Sequence, residues 1–267
     1  MGKGYDEFDA YESPYWITKA LLRREPILYY AKAVYDPCIG LGAMAKIISE
    51  YDIKKHKKDF IFKLSDRKIF GSDIRKLPII KTKYHKIKVY NLDVFDDRIK
   101  KITNKVKVVI LNPPFGLPKE RSGCAKIVKR LLDVMKKDSY VAIFQRQQFL
   151  EGTLRYNILF KKTPPLRIYL FTRYPQLYRE GYVDHNLSGN LSFAWYIFKV
   201  GHHGNTNLYW IDDKPKDYEN PFLPQEVGMC YCCKYKDTND CKPRAKNCNE
   251  AEKIGKSTDY LCLSWDR

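Results

Sequence analysis

The side chains with most to offer chemically lie in residues 105–116. The apolar run Val106-Lys107-Val108-Val109-Ile110-Leu111 leads without a break into Asn112-Pro113-Pro114-Phe115. A β-branched run of this length reads as a buried strand. Two prolines end it: neither has a backbone N–H for the next ladder bond, and the residue before a proline is driven to extended backbone. The strand's carboxyl end is therefore a stiff turn that offers free carbonyls, the Asn112 amide and the Phe115 ring. Those groups suit a flat ligand bearing an amino group, because carbonyl oxygens accept its hydrogens and a ring covers its face. Asn112, Pro113, Pro114 and Phe115 are accordingly the candidate catalytic set. The plain alternative is a loop that happens to hold two prolines; the strand directly before it favours the chemical reading.

Other elements must carry a second ligand to the same edge. Ala33-Val34-Tyr35-Asp36-Pro37-Cys38-Ile39-Gly40-Leu41-Gly42 runs into Ala43-Met44-Ala45-Lys46-Ile47-Ile48: strand, glycine-containing loop, helix. That is the opening unit of a doubly wound α/β fold with a parallel sheet. Gly40 and Gly42 permit a sharp turn and close approach to a ligand. The third glycine of a dinucleotide fingerprint is missing, which argues against a pyrophosphate there. Lys68-Ile69-Phe70-Gly71-Ser72-Asp73-Ile74 reads as a second strand ending in an acid, suited to two ribose hydroxyls. Residues 87–95 alternate like a third strand, with Asp93, Val94, Asp96 and Asp97 at its end. Residues 125–137 show the apolar stripe of a core helix. A fifth strand, 139–144, leads into Gln145-Arg146-Gln147-Gln148-Phe149 and puts Arg146 at the ligand edge. Residues 166–171 and 193–198 are strand-like. Between them, 174–189 hold Tyr178, Arg179, Tyr182 and His185, a mix suited to stacked bases and phosphates. At the front, residues 13–22 read as a short amphipathic helix capped at Ser13, with Pro14 in its first turn.

The 267 residues allow one full core plus a small appendage. Lys and Arg outnumber Asp and Glu by 49 to 31, a net charge of +18. Such an imbalance attracts polyanions, nucleic acid first among them, although a lysine-rich composition alone would give the same sum. No apolar run is long enough to span a membrane, and Met1-Gly2-Lys3-Gly4-Tyr5-Asp6-Glu7 is not a secretory signal. A cytoplasmic setting and reduced thiols are therefore expected. Six of the eight cysteines crowd between positions 230 and 262. Cys230, Cys233, Cys241 and Cys248 are the zinc candidates among them, against free thiols as the simpler reading. Prolines 215, 221 and 224 mark the change of character, giving residues 1–212 as one domain and 213–267 as a Cys-rich extension.

Asn112-Pro113-Pro114-Phe115 resembles the Asn/Asp-Pro-Pro-aromatic signature of the S-adenosylmethionine-dependent amino-methyltransferases. Asp36-Pro37-Cys38-x-Gly40-x-Gly42 is similar to the cofactor loop of the DNA enzymes of that class. The order of the two motifs, with a variable region after the catalytic one, resembles the DNA adenine-N6 methyltransferases, including small phage-encoded ones. The resemblance covers roughly residues 13–200. It implies a Rossmann-like methyltransferase sheet and S-adenosylmethionine held by Ser13, Pro14, Asp36, Pro37, Cys38, Gly40, Gly42, Asp73, Ile74, Asp93, Val94 and Asn112. It further implies transfer to the exocyclic amine of an adenine flipped out of DNA, in a bacterial or virus-infected cytoplasm, with no metal in the reaction. An RNA base methyltransferase and a protein glutamine methyltransferase are the rivals, and a nucleic-acid-binding protein with a lapsed site is the non-enzymatic one.

Overall fold

A strand whose residues are apolar at every position needs cover on both faces, and a parallel sheet between helix layers supplies it. The structure is a computed structural model that describes residues 11–51, 63–115, 122–179 and 191–213. It forms one eight-stranded sheet: β1 (Ala33–Asp36), β2 (Lys68–Asp73), β3 (Val89–Asn91), β4 (Val108–Leu111), β5 (Tyr140–Arg146), β6 (Arg167–Phe171), β7 (Phe193–Lys199) and β8 (Asn207–Ile211). The spatial order is β3-β2-β1-β4-β5-β7-β6-β8. β1 to β5 pair in parallel; β7 runs antiparallel to both β5 and β6, and β8 is parallel to β6.

The strand order reverses between β1 and β4, so the chain winds away in opposite directions on either side of that pair. In open sheets of this kind ligands bind in the crevice outside the carboxyl ends at such a switch point. Asp36 and Asn112 stand there.

The helices α1 (Tyr15–Arg24) and α2 (Ala43–Glu50) cover one face, and α3 (Gly123–Val134) covers the other. Alternate residues of β4 show the arrangement. Val108 and Ile110 pack with Ile17 and Leu21 of α1 and Met44 and Ile48 of α2. Val109 and Leu111 pack with Ile127, Val128 and Leu131 of α3. All four are buried, each worth about 1.5–3 kcal/mol in transfer, so β4 is a rigid base for the turn that follows. The buried indole of Trp195 on β7 donates from Nε1 to the Ile17 carbonyl at 3.1 Å, tying α1 to the sheet.

Two buried ionic groups are structural. Glu25, just after α1, accepts both arms of Arg167 (2.8 and 2.9 Å) and the Tyr169 hydroxyl (3.1 Å). Arg67 donates to the carbonyls of Ile48 (2.9 Å) and Tyr29 (2.7 Å), and burial pulls its guanidinium down to about 10. Asp213, past β8, takes Arg23 at 2.8 Å and Arg24 at 2.6 Å, closing the sheet back onto α1.

Several sequence expectations shift. Helix α1 begins at Tyr15 with Pro14 at the cap position, and no side chain caps it, so Ser13 is not the cap. The third strand is only Val89–Asn91, because residues 86–87 pair back on 80–81 in a small hairpin. Strand β8 had no counterpart in the pattern; four of its five residues are exposed, so the alternation of a half-buried strand is absent. The zinc candidates Cys230, Cys233, Cys241 and Cys248 lie outside the described residues, as do residues 116–121 and 180–190.

Candidate functional site

The turn after β4 holds the expected side chains in an unfinished hydrogen-bond pattern. The Asn112 amide donates from Nδ2 to the carbonyl of Tyr11 at 3.1 Å. Its Oδ1 is buried with no hydrogen-bond partner among the described residues. An unpaired buried acceptor costs about 1–3 kcal/mol, so it marks either strain or a place kept for a donor. Tyr11 fixes which end of the amide is left over. Tyr11–Glu12 is itself held by antiparallel pairing with Tyr178–Arg179.

Phe115 sits among other rings. It meets Tyr11 at 6.0 Å and 46°, and Phe193 at 5.6 Å and 52°. The Arg146 guanidinium lies over it, 4.9 Å from the ring centre, with Nε buried and unpartnered among the described residues. Phe115 is thus a platform that a charged group already covers.

Across the switch point lies the loop from β1 to α2. Gly40 and Gly42 take positive φ values of 53° and 90°, the left-handed region that disfavours other residues. A Cβ on Gly40 would come within 2.8 Å of the Glu12 carboxylate. The Asp36 carboxylate accepts from the Cys38 N–H at 3.0 Å. Burial pushes its carboxyl well above the usual range, and the neighbouring Asp73 and Glu12 add to that. At the tip of β2, Asp73 accepts from the Gly40 N–H at 3.1 Å and the Arg75 N–H at 2.9 Å. The Arg75 guanidinium clasps the same carboxylate through Nε at 2.9 Å and Nη2 at 3.1 Å. Among the described residues, burial also raises two thiols, Cys38 and, to about 12, Cys124. A thiol held protonated is no nucleophile.

The expected residues mostly converge. Ser13 and Pro14 lie in the segment that crosses both motifs, and the Ser13 hydroxyl is buried without a partner among the described residues. Asp36, Pro37, Cys38, Gly40, Gly42 and Asp73 make one continuous loop-and-tip, and Ile74 beside them is 60% exposed. Asp93 is exposed, with Oδ1 accepting from the Phe95 N–H at 2.9 Å. Val94 packs into the core with Leu92 and Ile99, while Phe95 stands 46% exposed.

Three residues escaped the sequence reading: Tyr11, Glu12 and Arg75. Glu12 accepts from the N–H groups of Leu41 at 2.7 Å and Ala43 at 3.3 Å. Its signal was an acid directly before Ser13-Pro14; that of Arg75 was a base two residues beyond the strand-tip acid. Among the described residues, no group of three or more His, Cys, Asp or Glu side chains is placed to hold a metal. No described helix is long and apolar enough to cross a membrane.

No protein-family model matches the sequence, and no curated protein does. Solved structures do share the fold. The methyltransferase subunit of a type I restriction-modification system from Streptococcus thermophilus is 16% identical, with a TM-score of 0.51 over 80% of this chain and 50% of its own. A structure described as the modification subunit of a type I restriction enzyme from Vibrio vulnificus is 14% identical, with a TM-score of 0.52 over 79% of this chain and 49% of its own. DrdV, solved in complex with DNA, gives a TM-score of 0.50 at 12% identity over 77% of this chain and 28% of its own. The chain therefore spans half or less of the length of these proteins. What it shares with them is the Rossmann-like methyltransferase fold: a mixed eight-stranded sheet flanked by helices, with its switch point between β1 and β4.

Proposed function

We propose that the protein is an S-adenosylmethionine-dependent methyltransferase that modifies the exocyclic N6 amine of adenine in DNA. The observation that carries this is the Oδ1 of Asn112, buried without a hydrogen-bond partner among the described residues and placed at the switch point beside the glycine loop. The residues around the loop fit the cofactor. Asp73 stands at the strand tip for ribose hydroxyls, Ile74 and Phe95 expose apolar surface for an adenine ring, and the Ser13 hydroxyl awaits a bond. Asp36, Gly40, Gly42 and Asp93 complete that set. When bound, the cofactor supplies a methyl group on a positively charged sulfur.

The rest is done by this chain's own groups. Asn112 Oδ1 and the Pro113 carbonyl accept the two amine hydrogens, which draws the nitrogen lone pair out of conjugation with the purine. Tyr11 holds the amide so that oxygen, not nitrogen, faces the amine. Phe115 takes the face of the extruded base once Arg146 moves off it; extrusion costs a few kcal/mol and stacking repays part of it. Most of the acceleration comes from alignment and fixed dipoles. The net charge of +18 suits the phosphate backbone. In a bacterial or virus-infected cytoplasm, DNA is the expected partner, ahead of RNA.

The test is tritiated methyl transfer from S-adenosylmethionine to matched DNA, RNA and protein substrates, followed by nucleoside analysis. N6-methyladenine in DNA is the expected product. Label confined to RNA or to glutamine amides would transfer the same chemistry to another substrate, and no transfer at all would end the reading.

A further inference from the structure

Arg146 ends β5, and its backbone is held firmly. Its N–H donates to Oε1 of Gln145 at 2.9 Å, and its carbonyl accepts from the Tyr196 hydroxyl at 3.1 Å. In the sheet it lies opposite Phe193, the first residue of β7. The side chain is not held in the same way. Its guanidinium stands 4.9 Å from the centre of the Phe115 ring, and Nε is buried with no hydrogen-bond partner among the described residues.

Other half-buried arginines do find oxygens. Arg75, Arg130 and Arg167 donate to carboxylates, and Arg155 donates to the carbonyls of Phe149 and Gln148. Among the described residues, the Arg146 guanidinium meets a ring and no anion. A guanidinium carries five N–H donors in a planar fork, a shape matched by a carboxylate or a phosphate. The carboxyl edge of the sheet is where a nucleotide would enter. There a DNA strand brings phosphates within reach of the same side chain that its base must displace from Phe115.

We propose that Arg146 binds a phosphodiester next to the target adenosine, exchanging the Phe115 ring for that phosphate as the base arrives. The assignment rests on the methyltransferase reading above. In the free protein Arg146 is a placeholder that covers the stacking surface until the strand offers a better-matched partner. The site thereby reads the backbone beside the base as well as the base itself. An adenosine within a strand is favoured over a free one.

The test is methyl transfer to three duplexes that share one methylated adenine. One is natural, and the others carry a single neutral methylphosphonate linkage on the 5′ or the 3′ side of that adenosine. The wild type should lose about tenfold to a hundredfold in kcat/KM at one neutral linkage or more, the weight of a hydrogen bond to a charged group. Arg146→Ala should lose a similar factor on the natural duplex and nothing further on the sensitive neutral one. Arg146→Lys keeps the charge without the fork and should regain part of the loss. Both variants should bind S-adenosylmethionine as the wild type does, which shows them folded. A wild type indifferent to both neutral linkages overturns the assignment, whether or not the variants fold. So do losses that add when the variant meets the neutral linkage, because two separate contacts are then at work. An Arg146→Ala protein that turns over as fast as the wild type makes the side chain a mere cover for the ring, and overturns it too. In each of these cases the wild type still methylates the natural duplex, so the methyltransferase reading stands. A wild type that methylates no DNA removes both.

Discussion

The two ends of the crevice are built on opposite principles. At the Asn112 end, polar atoms are left without partners among the described residues: the amide oxygen, the Ser13 hydroxyl and Nε of Arg146. At the Asp73 end the carboxylate is fully engaged, by a loop N–H and by three donors of Arg75. Yet both lie at the carboxyl edge of the same parallel strands. In the proposed reaction the first end would keep its bonds in reserve for the transition state, where they are worth most. The second satisfies itself and must open before a ribose can take the place of Arg75.

Removing the reserve should cost most. Asn112→Ala should slow methyl transfer at least about a hundredfold, the usual loss for one transition-state acceptor of ~3 kcal/mol. Cofactor affinity, read by titration, should barely change. Full turnover, or lost cofactor binding in a folded variant, would dissolve the contrast between the two ends.

Phe115→Ala should act next, through stacking worth roughly 1–3 kcal/mol, and appear in KM for the nucleic acid more than in cofactor binding. Phe115→Trp should be milder. If Phe115 served only to pack Phe193 and Tyr11, both variants would lower the melting temperature and leave KM alone.

At the other end the sign reverses. Arg75→Ala frees a carboxylate that the guanidinium now occupies, so cofactor binding should tighten. A partly exposed ion pair is worth about 0.2–1 kcal/mol, which caps the gain at about fivefold. Weaker binding would mean that Arg75 is itself a ligand contact.

Asp36→Asn sharpens the comparison through pH. The Asp36 carboxyl is raised in the folded state, so the folded protein holds a proton that the unfolded chain releases above the ordinary carboxylate range near pH 4. Wild-type stability therefore falls as pH rises past that range. Asparagine keeps the bond to Cys38 without the charge. The variant should melt higher at pH 7 and no differently below about pH 4, followed by thermal unfolding across pH.

Much of this was legible in the sequence where a residue acts through its own backbone or through the strand that carries it. Two prolines after a β-branched run stop a strand wherever it lies, and an acid at the end of Ile69-Phe70-Gly71-Ser72-Asp73 falls at the sheet edge by construction. Tyr11 and Glu12 were illegible for the opposite reason. Their roles depend on partners far along the chain: Asn112, 101 residues on, and the pairing with Tyr178–Arg179. For residues 92–95 strand alternation is no guide to which side chains face the crevice, because β3 has ended at Asn91.

The pairing of residues 11–12 with 178–179 also bears on how the protein comes to be folded. Contacts so far apart in sequence close late, because the entropy of a long loop must be overcome before they form. On the ribosome the first partner emerges well before the second exists, while β1 to β5 are already complete enough to pair. A nascent chain at that stage has its strands, its glycine loop and its proline turn. It has nothing yet to hold Tyr11 against Asn112, so the amide is free to rotate. Competence arrives with β6 and the residues just after it, and a chain cut short before them would be a methyltransferase sheet without an oriented amide.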